Sequence, residues 1–351
     1  MLIESNKMAG LNDTKRIRIK DIAEQLGVST ATVSNVIHGK TQKISKRTVE
    51  KVQELLETSG YVPNMAAILL AQNSSKIICV ILSGNIKYEN KMLQDPFIST
   101  LVEGISKYLQ ENGYFMMLRE EQDVDMIAKY ASMWNMAGLI LIGYCLQDFD
   151  GLRKRMRIPF LVIDGYTSPN ERWSDIMIDN YNGGQQVGKY LYEMGHKRVM
   201  YIADNDECCD HDRYQGCYDF FKDKGIIFKQ TDFKYVSIDQ EKRYAQYELL
   251  LTELDDYTVV FCSCDMYAIE FMNYMYEHGI RVPEDISVIG FDDIPVATLV
   301  RPKLTTVSQN IRERARLSVE LLHNMIMGVS GAKSIILPVD LVIRDSVKKI
   351  E

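Results

Sequence analysis

The sequence predicts a small all-α headpiece of helix-turn-helix type, followed by a larger α/β body built on two doubly wound, mainly parallel sheets. Three observations carry this. Within the first sixty residues a short amphipathic helix, a glycine and a capped second helix follow one another. Beyond residue 76, short apolar runs alternate with amphipathic stretches of helical length. The charge divides at the same place: residues 1–76 hold eleven Lys/Arg against seven Asp/Glu, a net +4, and the remainder carries -11 of the overall -7.

A chain of 351 residues predicts two or three domains at about 150 residues each. With 46% hydrophobic and 25% charged residues it has the composition of a soluble globular protein. The longest apolar run, near residues 137–143, falls far short of the roughly 20 residues a membrane span needs. Residues 1–10 lack the apolar stretch of about 7–15 residues that a secretory signal requires, so a cytoplasmic location is expected. Seven cysteines without a C-x-x-C pair, and five histidines, predict reduced thiols and no metal site. No G-x-G-x-x-G, G-x-x-x-x-G-K-[ST] or G-x-S-x-G occurs, which argues against a nucleotide cofactor and against an enzyme. The overall acidity by itself argues against a nucleic-acid partner, but the basic leading module reverses that inference.

In the headpiece, Ile22, Ala23 and Leu26 make one face of a first helix, which Gly27 closes. Ser29 is placed to cap a second helix with Val33, Val36 and Ile37 on its inner face. That helix would present Thr30, Ala31 and Asn35 outward, small hydrogen-bonding groups suited to base edges in a major groove. A third helix follows, with Ser45 as its cap and Gly60 as its stop. Lys43, Lys46, Arg47 and Lys51 supply phosphate-pairing charge there. On pattern alone, a plain three-helix bundle fits as well.

In the body, apolar runs at 77–82, 114–118, 138–142, 160–163, 199–203, 258–261 and 286–290 read as strands buried on both faces. More than six such strands imply two sheets. Helices are expected at 97–112, 183–194, 212–224 and 267–278, with Gly113, Gly195, Gly225 and Gly279 as left-handed caps.

The headpiece resembles that of the LacI/GalR family of bacterial transcriptional regulators. Asp21-Ile-Ala, the run from Gly27 to Gly39, and Gly60-Tyr-Val-Pro-Asn64 carry the resemblance in order and spacing. It implies that Thr30, Ala31 and Asn35 read bases. It also implies that residues 64–71, including Asn64, form a hinge helix that orders on DNA and wedges Leu70 into the minor groove. An eight-residue segment is too short to be helical alone, and an apolar wedge that unstacks a base step bends the duplex. Two departures matter. Asn35 stands where many relatives have Arg, and Asn prefers adenine. Arg18 stands where many have Thr, so a cap is lost and a cation gained.

The resemblance continues to about residue 346 through Ile178–Gly184, Met194–Val199, Asp212–Gly216, Val282–Asp293, Arg301–Val307 and Leu337–Arg344. It implies a two-lobed, periplasmic-binding-protein-like effector domain with ligand in the cleft at the strand ends. On family positions Arg213 is the effector-binding arginine and Asp292 an acceptor for ligand hydroxyls. Asp164 has a similar mouth position, for which a simple salt bridge or cap fits equally, and Phe97 sits where relatives often place an aromatic against a sugar or base face. Cys264 stands where relatives carry an amide, a weaker partner for ligand. Asp265 is expected to cap the helix starting near Tyr267. Residues 84–94 lengthen a loop beside the cleft.

The expected organisation is a flexible extension (1–17), a helix-turn-helix domain (18–62), and a hinge helix with linker (63–75). An effector-binding and dimerisation domain then spans 76–346. Lobe one would comprise about 76–177 and 308–337, and lobe two about 178–307 and 338–346. The function so implied is that of a DNA-binding repressor with a palindromic operator and a small-molecule effector, a carbohydrate by family frequency. It would act as a cytoplasmic homodimer without the leucine heptads that make some relatives tetrameric. The alternative is a solute-binding protein with no role on DNA.

Overall fold

The computed structural model describes residues 17–37, 39–61, 75–83, 92–143, 149–165 and 174–351. The chain divides into two compact units, Met1–Asn73 and Ser74–Glu351.

The first unit contains α1 (Ile19–Leu26), α2 (Thr30–Ile37) and α3 (Lys46–Thr58). Ile22, Ala23, Val33, Val36 and Val52 form its core, with Leu26, Ile37, Val49, Leu55 and Tyr61 packed around them. Gly27 ends α1 in the left-handed region (φ 64°), where a side chain would be strained. The hydroxyl of Ser29 accepts from the Thr32 amide at 3.1 Å, and that of Ser45 from the Thr48 amide at 3.2 Å. Arg18 gives α1 no side-chain cap. Its backbone amide instead donates to Asp21 at 2.8 Å, half of a capping box.

The second unit holds two parallel sheets. In lobe one the strand order is β11-β5-β4-β3-β1-β2. The strands are β1 (Ile77–Leu82), β2 (Phe115–Glu120), β3 (Gly138–Ile142), β4 (Phe160–Ile163), β5 (Ser174–Ile178) and β11 (Ser334–Leu337). Alternation decides its faces. Ile78, Val80 and Leu82 enter the core beneath α4 (Pro96–Glu111) and α11 (Ile311–Ile326). Cys79 and Ile81 enter the core beneath α5 (Val124–Met133) and α6 (Phe149–Arg155). In lobe two the order is β7-β6-β8-β9. These strands are β6 (Val199–Ala203), β7 (Phe233–Tyr235), β8 (Val259–Cys262) and β9 (Ser287–Ile289). They are flanked by α7 (Asn180–Glu193), α8 (Cys208–Asp223), α9 (Gln240–Leu251) and α10 (Asp265–Glu277).

The chain passes between the sheets three times: after β5, after β10 (Thr306–Ser308), and between β11 and β12 (Asp340–Val342). β10 and β12 pair antiparallel, and β10 and its approach bridge to β9 through Ile289–Thr305 and Asp292–Ser308. The amide of Asp179 donates to Leu337, and Gln186 bonds both Val339 and Leu341, so two of the crossings lie side by side.

Several expectations shift, among them those for β5, α7 and α8. β5 was not expected, because Ser174 and Asp175 are polar; both are nonetheless buried. Helix α7 begins at Asn180 rather than 183, with Asp179 capping it. Helix α8 begins at Cys208 rather than 212, after a turn in which Asn205 accepts from the Glu207 amide. Helix α7 contains Gly183, Gly184 and Gly188. Close packing against α8 explains Gly184: a Cβ there would lie 2.1 Å from the Arg213 carbonyl, and one on Gly216 2.0 Å from that of Tyr181.

Candidate functional sites: the exposed face of the second helix and the cleft

On α2 the buried side is Val33 and Val36, and Thr30, Ala31 and Asn35 are all exposed on the other side. Small exposed side chains let a helix backbone come close to a surface, and the Asn35 amide offers a donor and an acceptor in one plane. Ser29 sits at the amino end of this face. Lys46 is the first residue of α3 and is exposed, as are Lys43, Arg47 and Lys51. Asn64 and Leu70 lie outside the described residues, as do residues 84–91 of the lengthened loop.

The second candidate site lies at the carboxyl ends of the strands, where a doubly wound fold leaves a crevice. Arg213, on α8, is buried and stacks on Phe291, with the guanidinium carbon 3.9 Å from the ring centre. Its Nε donates to Asn180 Oδ1 at 2.9 Å and its Nη1 to the Ser263 carbonyl at 2.6 Å. Asp210 lies 3.8 Å and Asp292 3.9 Å away. Burial works against the charge on Arg213, but Cys209, Asp292 and Asp210 around it outweigh burial and hold it protonated. Asp292 follows β9 in a positive-φ conformation (134°). Burial pushes its carboxyl well above the usual carboxylate range, and Arg213 opposes that rise.

Lobe one contributes Asp164, which follows β4 at φ 59°. Its Oδ2 lies 2.6 Å from Nη2 of Arg314, a charge contact rather than an aligned hydrogen bond. Phe97, in the first turn of α4, packs against the cores of both lobes and lies under the Arg314 guanidinium at 5.5 Å. Cys264 is partly buried at the head of α10 and makes no side-chain cap.

Asp265 is a correction. It does not cap α10 but begins it, buried, with its carboxylate turned inward to accept from the Thr306 hydroxyl at 2.5 Å and the Ile294 amide at 3.0 Å. Burial raises it to about 7, against those two hydrogen bonds. An N-terminal Asp usually caps; here the close approach of Gly290, whose Cβ would meet Asp265 at 2.2 Å, leaves room for the inward rotamer.

Phe97, Asp164, Arg213 and Asp292 are thus joined through residues that motif reading missed: Gln309, Arg314, Asn180 and Ser263. Arg314 had a legible signal. Ile311, Arg314, Ala315, Ser318, Val319, Leu321 and Leu322 are the buried positions of α11, at helical spacing, and one of them is an arginine. Gln309 had none. A separate hollow of about 390 Å³ lies at the opposite, amino-terminal edge of the lobe-two sheet, lined by Arg198, Tyr257, Thr258, Ile286 and Lys348. It contains no candidate residue. Among the described residues no group of His, Cys, Asp and Glu could hold a metal ion, and no helix is long and apolar enough to cross a membrane.

A helix-turn-helix reader joined to a two-lobed body with a polar cleft defines a class, that of DNA-binding regulators that sense a small molecule. Residues 18–64 match the family model described as bacterial regulatory proteins, lacI family, and residues 189–347 match the periplasmic binding protein-like domain. The chain thus joins a lacI-family helix-turn-helix domain to a periplasmic binding protein-like domain, and its homologues are lacI-family repressors. It is 29% identical to the HTH-type transcriptional repressor PurR of Mannheimia succiniciproducens, over 95% of this chain and 99% of that one. Its fold is similar to that of the lac repressor dimer bound to operator and the anti-inducer ONPF. The TM-score is 0.82 at 25% identity, covering 95% of this chain and 100% of the other. It is also similar to the transcriptional regulator CelR in complex with cellobiose, at TM-score 0.69 and 27% identity, covering 94% and 100%.

Proposed function

We propose that this protein is a cytoplasmic, homodimeric, non-enzymatic repressor whose affinity for a palindromic operator is set by a carbohydrate bound between its lobes. The observation that carries the effector half is the convergence of Phe97, Asp164, Arg213, Cys264 and Asp292 at the carboxyl ends of both sheets. Lobe one brings the Phe97 ring and the Asp164 carboxylate, and lobe two the Arg213 guanidinium paired with the Asp292 carboxylate. A hydroxyl both donates and accepts, so a polyol answers such a pair better than an ion does. The cellobiose complex of CelR supports this ligand class.

For the DNA half, Thr30, Ala31 and Asn35 are the base readers, and Ser29 and Lys46 contact phosphates. Residues 63–75, with Asn64 and Leu70, are the hinge that folds on the duplex. The lac repressor dimer on its operator supports this arrangement. Two half-sites related by a dyad call for two protomers. Lobe one is assigned to about 76–177 and 308–337, and lobe two to about 178–307 and 338–346. Ligand draws the lobes together and changes the separation of the hinges in the dimer. Such coupling is reciprocal, so DNA shifts ligand affinity by the same factor.

The test is a thermal-shift screen over sugars and nucleobases. A ligand at 100 times its Kd raises stability by about 2.7 kcal/mol. Leu70→Ala is expected to weaken operator binding and leave that ligand-induced shift intact; unchanged operator affinity would remove the hinge assignment. A solute-binding protein would instead show the ligand shift with no tight, salt-sensitive binding to duplex DNA.

A further inference from the structure

Arg314 is the largest fully buried side chain of the described residues, and no part of it reaches solvent. Burying a guanidinium costs several kcal/mol unless charge and hydrogen bonds offset it. Its partners span both lobes. Nη2 faces Asp164 on lobe one at 2.6 Å. Nη1 donates to Oε1 of Gln309 at 2.5 Å. Gln309, 2% exposed, stands where β10 of lobe two hands over to α11 of lobe one. Its Nε2 donates to Asp292, which lies 3.9 Å from Arg213. Among the described residues Arg314 Nε, Asp164 Oδ1 and Ser263 Oγ are buried without a hydrogen-bond partner.

An amide serves uniquely at such a junction. Its oxygen can accept only from Arg314 and its nitrogen can donate only to Asp292, so the side chain is fixed in one orientation by two charged neighbours. We propose that Gln309 and Arg314 form an inter-lobe strut: they are positioning residues that fix Asp164 on one wall of the cleft and Asp292 on the other. The strut also holds the cleft at one angle. This rests on reading the crevice as the effector site, but it concerns the ligand-free protein.

The orphaned atoms give the strut its use. A ligand that satisfies Asp164 Oδ1 and Ser263 Oγ occupies both ends of the same chain of charges, and any change at Asp292 reaches α11 through two hydrogen bonds. Global stability is a poor reporter, because apolar replacement of a buried ion pair is often neutral. The lobe-to-lobe distance is the direct reporter.

Nitroxides carried on unnatural amino acids at the exposed positions 129 (lobe one) and 277 (lobe two) give that distance by pulsed electron resonance on the full-length, ligand-free protein. Gln309→Leu, which keeps the side-chain shape and the Arg314–Asp164 pair, is expected to shift or broaden the distance distribution. Arg314→Leu is expected to do the same. A Gln309→Leu distribution that superimposes on the parent's overturns the proposal, even should Arg314→Leu fail to fold. Because neither DNA nor effector is present, this outcome is separate from failure of the operator or ligand assays.

Discussion

Asp265 shows how one residue can set a pH response. Its carboxyl is neutral more readily in the folded chain, at about 7, than in the unfolded chain, near 4. Between those values the folded state binds more protons, so stability from this group falls as pH rises through the window and the full penalty applies above it. Asp292 is shifted in the same direction. We therefore expect the melting temperature to fall from pH 5 to pH 8 by more in the parent than in Asp265→Asn. Parallel pH profiles for the two would show that Asp265 does not carry the titration. Arg213 teaches a related lesson. It was readable as a ligand contact, but it is also bonded to Asn180 and Ser263. Arg213→Ala is thus expected to lower stability as well as ligand response, since Asp292 and Asp210 would lose a buried counter-charge.

Among the elements, α7 and α8 decide where Arg213 stands. Gly184 and Gly216 let the two helices meet backbone to backbone, and no side chain fits at either place. Gly216→Ala is expected to cost roughly 1–3 kcal/mol by forcing the helices apart, and to weaken effector binding by moving Arg213 off Asn180. Calorimetry and the ligand-shift assay check this together; an unchanged melting temperature would contradict the packing. Helical period places both glycines inside helices, but it does not show that the two helices meet through them, since propensity treats glycine only as a weak helix former. The same limit explains β5, where Ser174 is buried because it bonds the Lys333 amide of the neighbouring strand's approach. That partner lies far away in sequence, and no local pattern anticipates it. By contrast β3, β4 and β6 have the bounds their apolar runs predict, because burial on both faces leaves a continuous signature.

At the scale of the whole molecule the charge split matters most. A chain at -7 binds DNA only if its positive charge is concentrated, and the first 76 residues hold that concentration. Operator affinity is therefore expected to fall linearly with salt on logarithmic axes, and Lys46→Gln to make the slope shallower by about one. An unaltered slope would place Lys46 away from phosphate.

The sequence alone determined the order of the parts, the helix-turn-helix with its caps, the family resemblance, and the candidacy of Phe97, Asp164, Arg213 and Asp292 for the cleft. Those depend on local periodicity, on cap chemistry and on motifs that persist along the chain. Only the tertiary structure decided that Asp265 turns inward, that glycines weld α7 to α8, and that Gln309 and Arg314 join the two walls of the cleft. The physical reason is that a buried polar group is defined by its partners, and for Arg314 those partners come from separate strands and from both lobes.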